Sequence, residues 1–138
     1  MGTVLNGMCY QASNDKGRPL AGRGGQTILL LEDEPALRAL HREVLESEGF
    51  AVLEAPGLAR ALRVADAHQG SLDLLVADVG AGAVPLAVAL RRKRPGLRVI
   101  LTSGSHENPE HPLGEGVCFL KKPVGLDTLL AAVDAALR

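Results

Sequence analysis

Asp73-Leu74-Leu75-Val76-Ala77-Asp78 is the stretch that decides the fold of this chain. Four consecutive apolar residues between two aspartates read as a short strand buried on both faces. The chain then passes into Val79-Gly80-Ala81-Gly82, so the second aspartate stands where a strand stops and a glycine-rich loop opens. A strand covered on both faces belongs to a parallel sheet with helices above and below it. In such sheets, ligands and chemistry gather at the carboxyl ends of the strands. Asp78 is therefore the candidate reactive residue, and the rest of the chain can be asked what it brings to the same end.

Upstream, residues 27–31 form a β-branched and leucine run, the first strand, which ends in Glu32-Asp33-Glu34-Pro35. Residues 36–48 follow with helical spacing, Leu37, Leu40, Val44 and Leu45 on one stripe, Pro35 suiting a first turn and Gly49 supplying the stop. Residues 50–53 read as the second strand, and Leu58, Ala61, Leu62 and Ala65 mark a second helix that ends near Gly70. Downstream, residues 84–94 read as a third helix with Val84, Ala87 and Val88 inward. Its basic end, Arg91-Arg92-Lys93-Arg94, offsets the helix dipole on a solvated face. Residues 98–102 and 117–120 are the fourth and fifth strands. The last helix runs over residues 125–137, with Leu126, Leu129, Leu130, Val133 and Leu137 as its stripe. Between those two strands, Pro109 and Pro112 argue against a regular helix. Alternating strands and helices give an α/β fold with right-handed crossovers.

Composition bounds the rest. The chain has 138 residues, 46% of them hydrophobic but only 2% aromatic, so one domain must fill its core with Leu, Val and Ala. Residues 1–25, rich in glycine and without periodicity, read as a flexible tail, and residues 26–138 as the domain. The Gly22-Arg23-Gly24-Gly25 run precedes a strand instead of following one, so it reads as a linker and not a phosphate loop. A formal net charge of -1 argues against a nucleic-acid module. No run has the length of a membrane span and no secretory signal opens the chain. Cys9 and Cys118 lie far apart, a pattern of free thiols in a reducing, cytoplasmic setting.

Three further strand ends carry apt chemistry: Glu32-Asp33, Thr102-Ser103-Gly104 and Lys121-Lys122-Pro123. In the flavodoxin-like doubly wound order 2-1-3-4-5, strands one and three adjoin, which crowds Glu32, Asp33 and Asp78. Carboxylates that close repel unless a cation neutralises them, and a few hard oxygen donors suit Mg²⁺. Such a site lets Asp78 attack phosphorus in line while Lys122 and the Ser103 hydroxyl take up charge.

At these four motifs the chain resembles the receiver domain of two-component response regulators, over residues 26–138. The resemblance implies that Asp78 takes a phosphoryl group from a partner's phosphohistidine, on a histidine kinase or a phosphotransfer protein. It implies Mg²⁺ held by Asp33, Asp78 and the Gly80 carbonyl, with Glu32 acting through a metal-bound water. Ser103 and Phe119 would be the switch pair, with Thr102 and Lys121 as the neighbours to test against Ser103 and Lys122. The domain would catalyse its own phosphorylation and dephosphorylation without being a turnover enzyme. With nothing after the last helix, a stand-alone receiver is expected, signalling through contacts with a downstream protein. Two departures from the family stand out: the shortened loop after Asp78, and residues 105–116, where the family's fourth helix is expected to be short or missing.

Other readings weigh less. A receiver-like binding module that ignores phosphate fits the altered fourth-helix segment but not the complete acidic set. A flavin site fails because Glu32-Asp33-Glu34 would repel the cofactor's phosphate. A dehalogenase-type phosphatase needs an aspartate where Gly80 stands. His41 reads as a surface residue, His106 and His111 as members of a polar loop, and Cys118 as small core filler.

Overall fold

The computed structural model describes residues 25–104 and 114–138. Its elements run β1 (Thr27–Leu31), α1 (Pro35–Ser47), β2 (Ala51–Ala55), α2 (Leu58–Ala67), β3 (Leu74–Asp78), a 3₁₀ turn (Val79–Ala81), α3 (Ala83–Lys93), β4 (Arg98–Ser103), β5 (Val117–Lys121) and α4 (Leu126–Leu137). The five strands are all parallel and lie in the order β2-β1-β3-β4-β5, the flavodoxin-like arrangement. Among the described residues no helix lies between β4 and β5. Residues 105–113, on which a short or missing helix was expected, lie outside the described residues, as do His106 and His111.

β1 and β3 are buried along their whole length, as two-faced strands must be. Alternation sends their side chains to two cores. Leu29, Leu31, Leu75, Ala77, Val99 and Leu101 meet α2 and α3 on one face. Ile28, Leu30, Leu74, Val76, Ile100 and Leu120 meet α1 and α4 on the other. The two aspartates at the two ends of β3 part company here. At the foot of β3, the Asp73 carboxylate accepts from the Thr27 N–H at 2.8 Å and pins the start of β1. Asp78 is at the opposite end.

Local chemistry sets the helix ends. The Glu34 carboxylate caps α1 by accepting from the Leu37 N–H at 2.9 Å, with Pro35 just inside. Gly82 enters α3 at φ 106°, a conformation that favours glycine, and a Cβ there would lie a tight 3.1 Å from the Leu58 Cβ.

Three helix expectations need correction or completion. On α1, His41 is buried at 3% exposure while Leu40 is 44% exposed: the inward stripe is Leu37, His41, Val44 and Leu45, one residue on from the hydrophobic choice. On α3 Val84, Ala87 and Val88 do pack against the core, Ala87 fully buried, but Ala83, Leu86 and Leu90 are buried there as well. That helix begins apolar almost all round, so spacing alone carries no phase. Its basic end is solvated at Arg92 and Lys93, but Arg91 is half-buried and donates to the Leu97 carbonyl at 2.9 Å and the Gly116 carbonyl at 3.2 Å. Cys118 is buried in β5 and disulfide-bonded, which corrects the free-thiol reading for that residue. Cys9 lies outside the described residues.

Candidate functional site

Parallel strands end together, so the carboxyl ends of β1, β3, β4 and β5 present their last residues on one rim. Register places β1 beside β3, with Leu31 opposite Ala77, so Glu32 follows level with Asp78. Carboxylate oxygens of Glu32, Asp33 and Asp78 lie within 4.8 Å of one another. Glu32 and Asp78 are buried, at 2% and 7% exposure, and Asp33 is exposed. The sheet therefore supplies two sunken acids and one that faces solvent.

Lys122, just beyond β5, reaches back across this cluster. Its Nζ lies 3.0 Å from Asp78 Oδ1 and 3.2 and 3.4 Å from the two Glu32 oxygens. Its backbone N–H donates to the Ser103 carbonyl at 2.8 Å, and the Lys122–Pro123 peptide is cis. Lys121, by contrast, is exposed at the end of β5. Of the two lysines it is Lys122 that the fold brings to the acids.

The electrostatics follow from burial and pairing. Burial pushes the Glu32 carboxyl above its ordinary 4.5; the Glu34 N–H, bonded to it at 3.1 Å, and Lys122 pull the other way, while Asp78 adds to the rise. For Lys122, burial works to lower the ammonium, but its hydrogen bonds to Asp78 and Glu32, with their charges, outweigh that and raise it. Three carboxylates against one ammonium leave two negative charges to neutralise. That residual charge and the all-oxygen donor set fit a divalent hard cation such as Mg²⁺.

Gly80 lies in the 3₁₀ turn next to Asp78, and a Cβ there would sit 3.3 Å from Asp78 Oδ2. The missing side chain keeps that oxygen approachable from the loop side. On β4, Thr102 is the register partner of Asp78, and Ser103 lies one residue further toward the rim; both are buried. Ser103 alternates with Val99 and Leu101 toward α2 and α3, as does Phe119, whose register partner is Leu101. Ser103 and Phe119 are thus diagonal neighbours on adjacent strands, on the face opposite to that of Ile100 and Thr102.

Two residues near the site escape sequence reasoning. His41 is buried with its Nε2 unpartnered among the described residues; burial first, and then the charge of Lys122, lower its imidazole below the ordinary 6.5. Arg38, one turn into α1, donates from Nη1 to the Glu32 carbonyl at 2.9 Å. An arginine one turn after an acidic strand end is the only signal the sequence offers for it.

Comparison with known proteins finds relatives of this fold. A family described as the response regulator receiver domain matches residues 28–134. The sensor kinase CckA of Brucella abortus is 32% identical over 120 residues, which are 83% of this chain and 13% of that protein. The chain spans between 13% and 51% of the length of the curated relatives it matches. Among solved structures, the receiver domain of the hybrid histidine kinase CckA superposes with a TM-score of 0.69 at 32% identity, covering 81% of this chain and 99% of that one. The response regulator TrrA of Thermotoga maritima, solved in complex with Mg(2+)-BeF, gives a TM-score of 0.68 at 25% identity over 81% of this chain and 99% of its own. Among the described residues no helix is long and apolar enough to cross a membrane.

Proposed function

The chain belongs to the response regulator receiver family of two-component signalling, and on that premise we propose that Asp78 accepts a phosphoryl group from a phosphohistidine with the help of Mg²⁺. The observation that carries this reading is the meeting of Glu32, Asp33, Asp78 and Lys122 at one rim of the sheet. A carboxylate at a strand end is commonplace; one that shares 4.8 Å with two others and pairs with a lysine from a distant strand is a built site.

Asp33 and Asp78, with the Gly80 carbonyl, would hold Mg²⁺, and the sunken Glu32 would add negative charge beside it. Mg²⁺, when bound, neutralises charge on the phosphoryl oxygens. Lys122 engages Asp78 Oδ1, which fixes the carboxylate plane and leaves Oδ2 on the side opened by Gly80. A carboxylate oxygen of Asp78 attacks phosphorus in line. An O–P bond forms, the P–N bond of the donor imidazole breaks, and the leaving nitrogen keeps the electron pair and takes a proton from solvent. Lys122 and Ser103 then receive the charge of the new phosphoryl group, and Ser103 with Phe119 relays its presence to the α2/α3 side of the sheet. The partners in this reading are a histidine kinase or phosphotransfer protein upstream and a protein target downstream.

Incubation with Mg²⁺ and a small-molecule phosphodonor, followed by intact mass, tests the reading. The wild-type chain should gain one phosphoryl group; Asp78→Asn should gain none. A gain that survives Asp78→Asn, or no gain by the wild type, would refute it.

A further inference from the structure

Asp33 differs from its two companions in how it is held. Lys122 and the Glu34 N–H grip the Glu32 carboxylate, and Lys122 grips Asp78. The Asp33 carboxylate is exposed and has no side-chain partner among the described residues, so only its backbone places it. The peptide that enters Asp33 starts at the Glu32 carbonyl, and that carbonyl accepts from Arg38 Nη1 at 2.9 Å. On the preceding side, the Glu32 N–H donates to the Ala55 carbonyl of β2 at 3.2 Å.

Arg38 is itself anchored. Its Nε lies 3.3 Å from Glu54 Oε1 on β2, and Arg42, one turn further along α1, pairs with the other oxygen of the same carboxylate. Arg42 also meets Glu46 at 3.1 Å. A guanidinium carries its donors in a fixed planar fork, so one edge can rest on a carboxylate while the other aims at a carbonyl. The Arg38 side chain is only 20% exposed, which spares these bonds much of the competition from water.

We infer that Arg38 is a positioning residue for the metal site: braced on Glu54, it fixes the Glu32–Asp33 peptide and so the reach of the Asp33 carboxylate. This rests on the Mg²⁺ reading above. Charge alone argues the other way, because removing a cation beside three acids should make the site more attractive to Mg²⁺. The two accounts therefore predict opposite signs.

The test is an NMR titration of the full chain with Mg²⁺, with amide hydrogen exchange measured beforehand on the metal-free protein. Arg38→Met keeps the stem and loses both fork and charge; Arg38→Lys keeps the charge and loses the fork. Both should weaken Mg²⁺ binding, by about fivefold to tenfold, the effect of losing one ordinary hydrogen bond. Both should speed exchange at the Glu32 amide, which is bonded to the Ala55 carbonyl, by a similar factor and leave core amides of β1 and β3 unmoved. Glu54→Gln, which loosens only the brace, should show about half the effect on a logarithmic scale, and it keeps the inference open to refutation should Arg38→Met fold poorly. Arg38→Met binding Mg²⁺ as tightly as wild type or more tightly, or unchanged exchange at Glu32, would overturn the inference while the phosphoacceptor reading stands. A wild-type chain that binds no Mg²⁺ would sink that reading instead, and the metal-free exchange would still decide whether Arg38 holds this peptide.

Discussion

Lys122→Met removes one charge from the rim and keeps most of the side-chain volume, so its effect reports what the ammonium does. Nζ makes two charge-assisted contacts, to Asp78 at 3.0 Å and to Glu32 at 3.2 Å, from a side chain 23% exposed. Bonds of this type are worth about 1.5–3 kcal/mol each, and partial exposure favours the lower figure. Methionine escapes the ammonium's desolvation cost, which offsets roughly 1 kcal/mol, so the metal-free variant should lose about 2 kcal/mol. For a domain of this size that lowers Tm by roughly 6–10 °C. Urea and thermal melts followed by circular dichroism, in EDTA and in saturating Mg²⁺, would measure it, and the deficit should narrow when Mg²⁺ supplies the missing charge. Acid should narrow it too. The Glu32 carboxyl titrates above 4.5 in the folded chain, so the folded state takes up its proton first and gains stability as pH falls through that window. Without Lys122 the carboxyl rises further, and protonation relieves the strain sooner. A variant as stable as wild type in EDTA, or one whose deficit ignores both Mg²⁺ and pH, would refute the view that Lys122 holds these acids together.

Other substitutions probe the surroundings. Gly80→Ala should slow phosphoryl gain by about threefold to tenfold through its contact with Asp78 Oδ2, at little cost in stability. Gly82→Ala should do the reverse, losing about 1–2 kcal/mol in urea melts because of its φ of 106° and the Leu58 contact. A Gly82→Ala protein as stable as wild type would show that the entry to α3 tolerates a Cβ. His41 has its folded pKa below 6.5, so the stability it permits is present above that value and is lost as pH falls below it. His41→Leu should abolish that slope and gain about 1–2 kcal/mol on the acid side, by removing a buried unpaired nitrogen. Parallel pH profiles for the two proteins would count against it.

Much of this was legible in the residues alone. Strands such as Leu74–Asp78 announce themselves because burial on both faces demands an unbroken apolar run. The rim was legible because strand ends in a parallel sheet must coincide, so Glu32, Asp33, Asp78 and Lys122 could be grouped before any coordinate. Side-chain detail was less so. A hydropathy rule prefers Leu40 to His41 for the core, whereas helix geometry buries the histidine. α3 offers apolar residues around most of its first turns, which erases its phase. Arg38 acts on a backbone carbonyl, and nothing in a one-letter code shows where carbonyls point.

The connection from β4 to β5 is tied at both ends. Where it leaves, the Ser103 carbonyl takes the Lys122 N–H; where it returns, the Gly116 carbonyl takes both the Val99 N–H and Arg91. Between those anchors β4 and β5 pair in register from Val99 with Val117 to Ser103 with Lys121. That makes the span a natural graft point: foreign recognition sequences of varied length could be spliced there, giving one acid-rich scaffold many possible listeners.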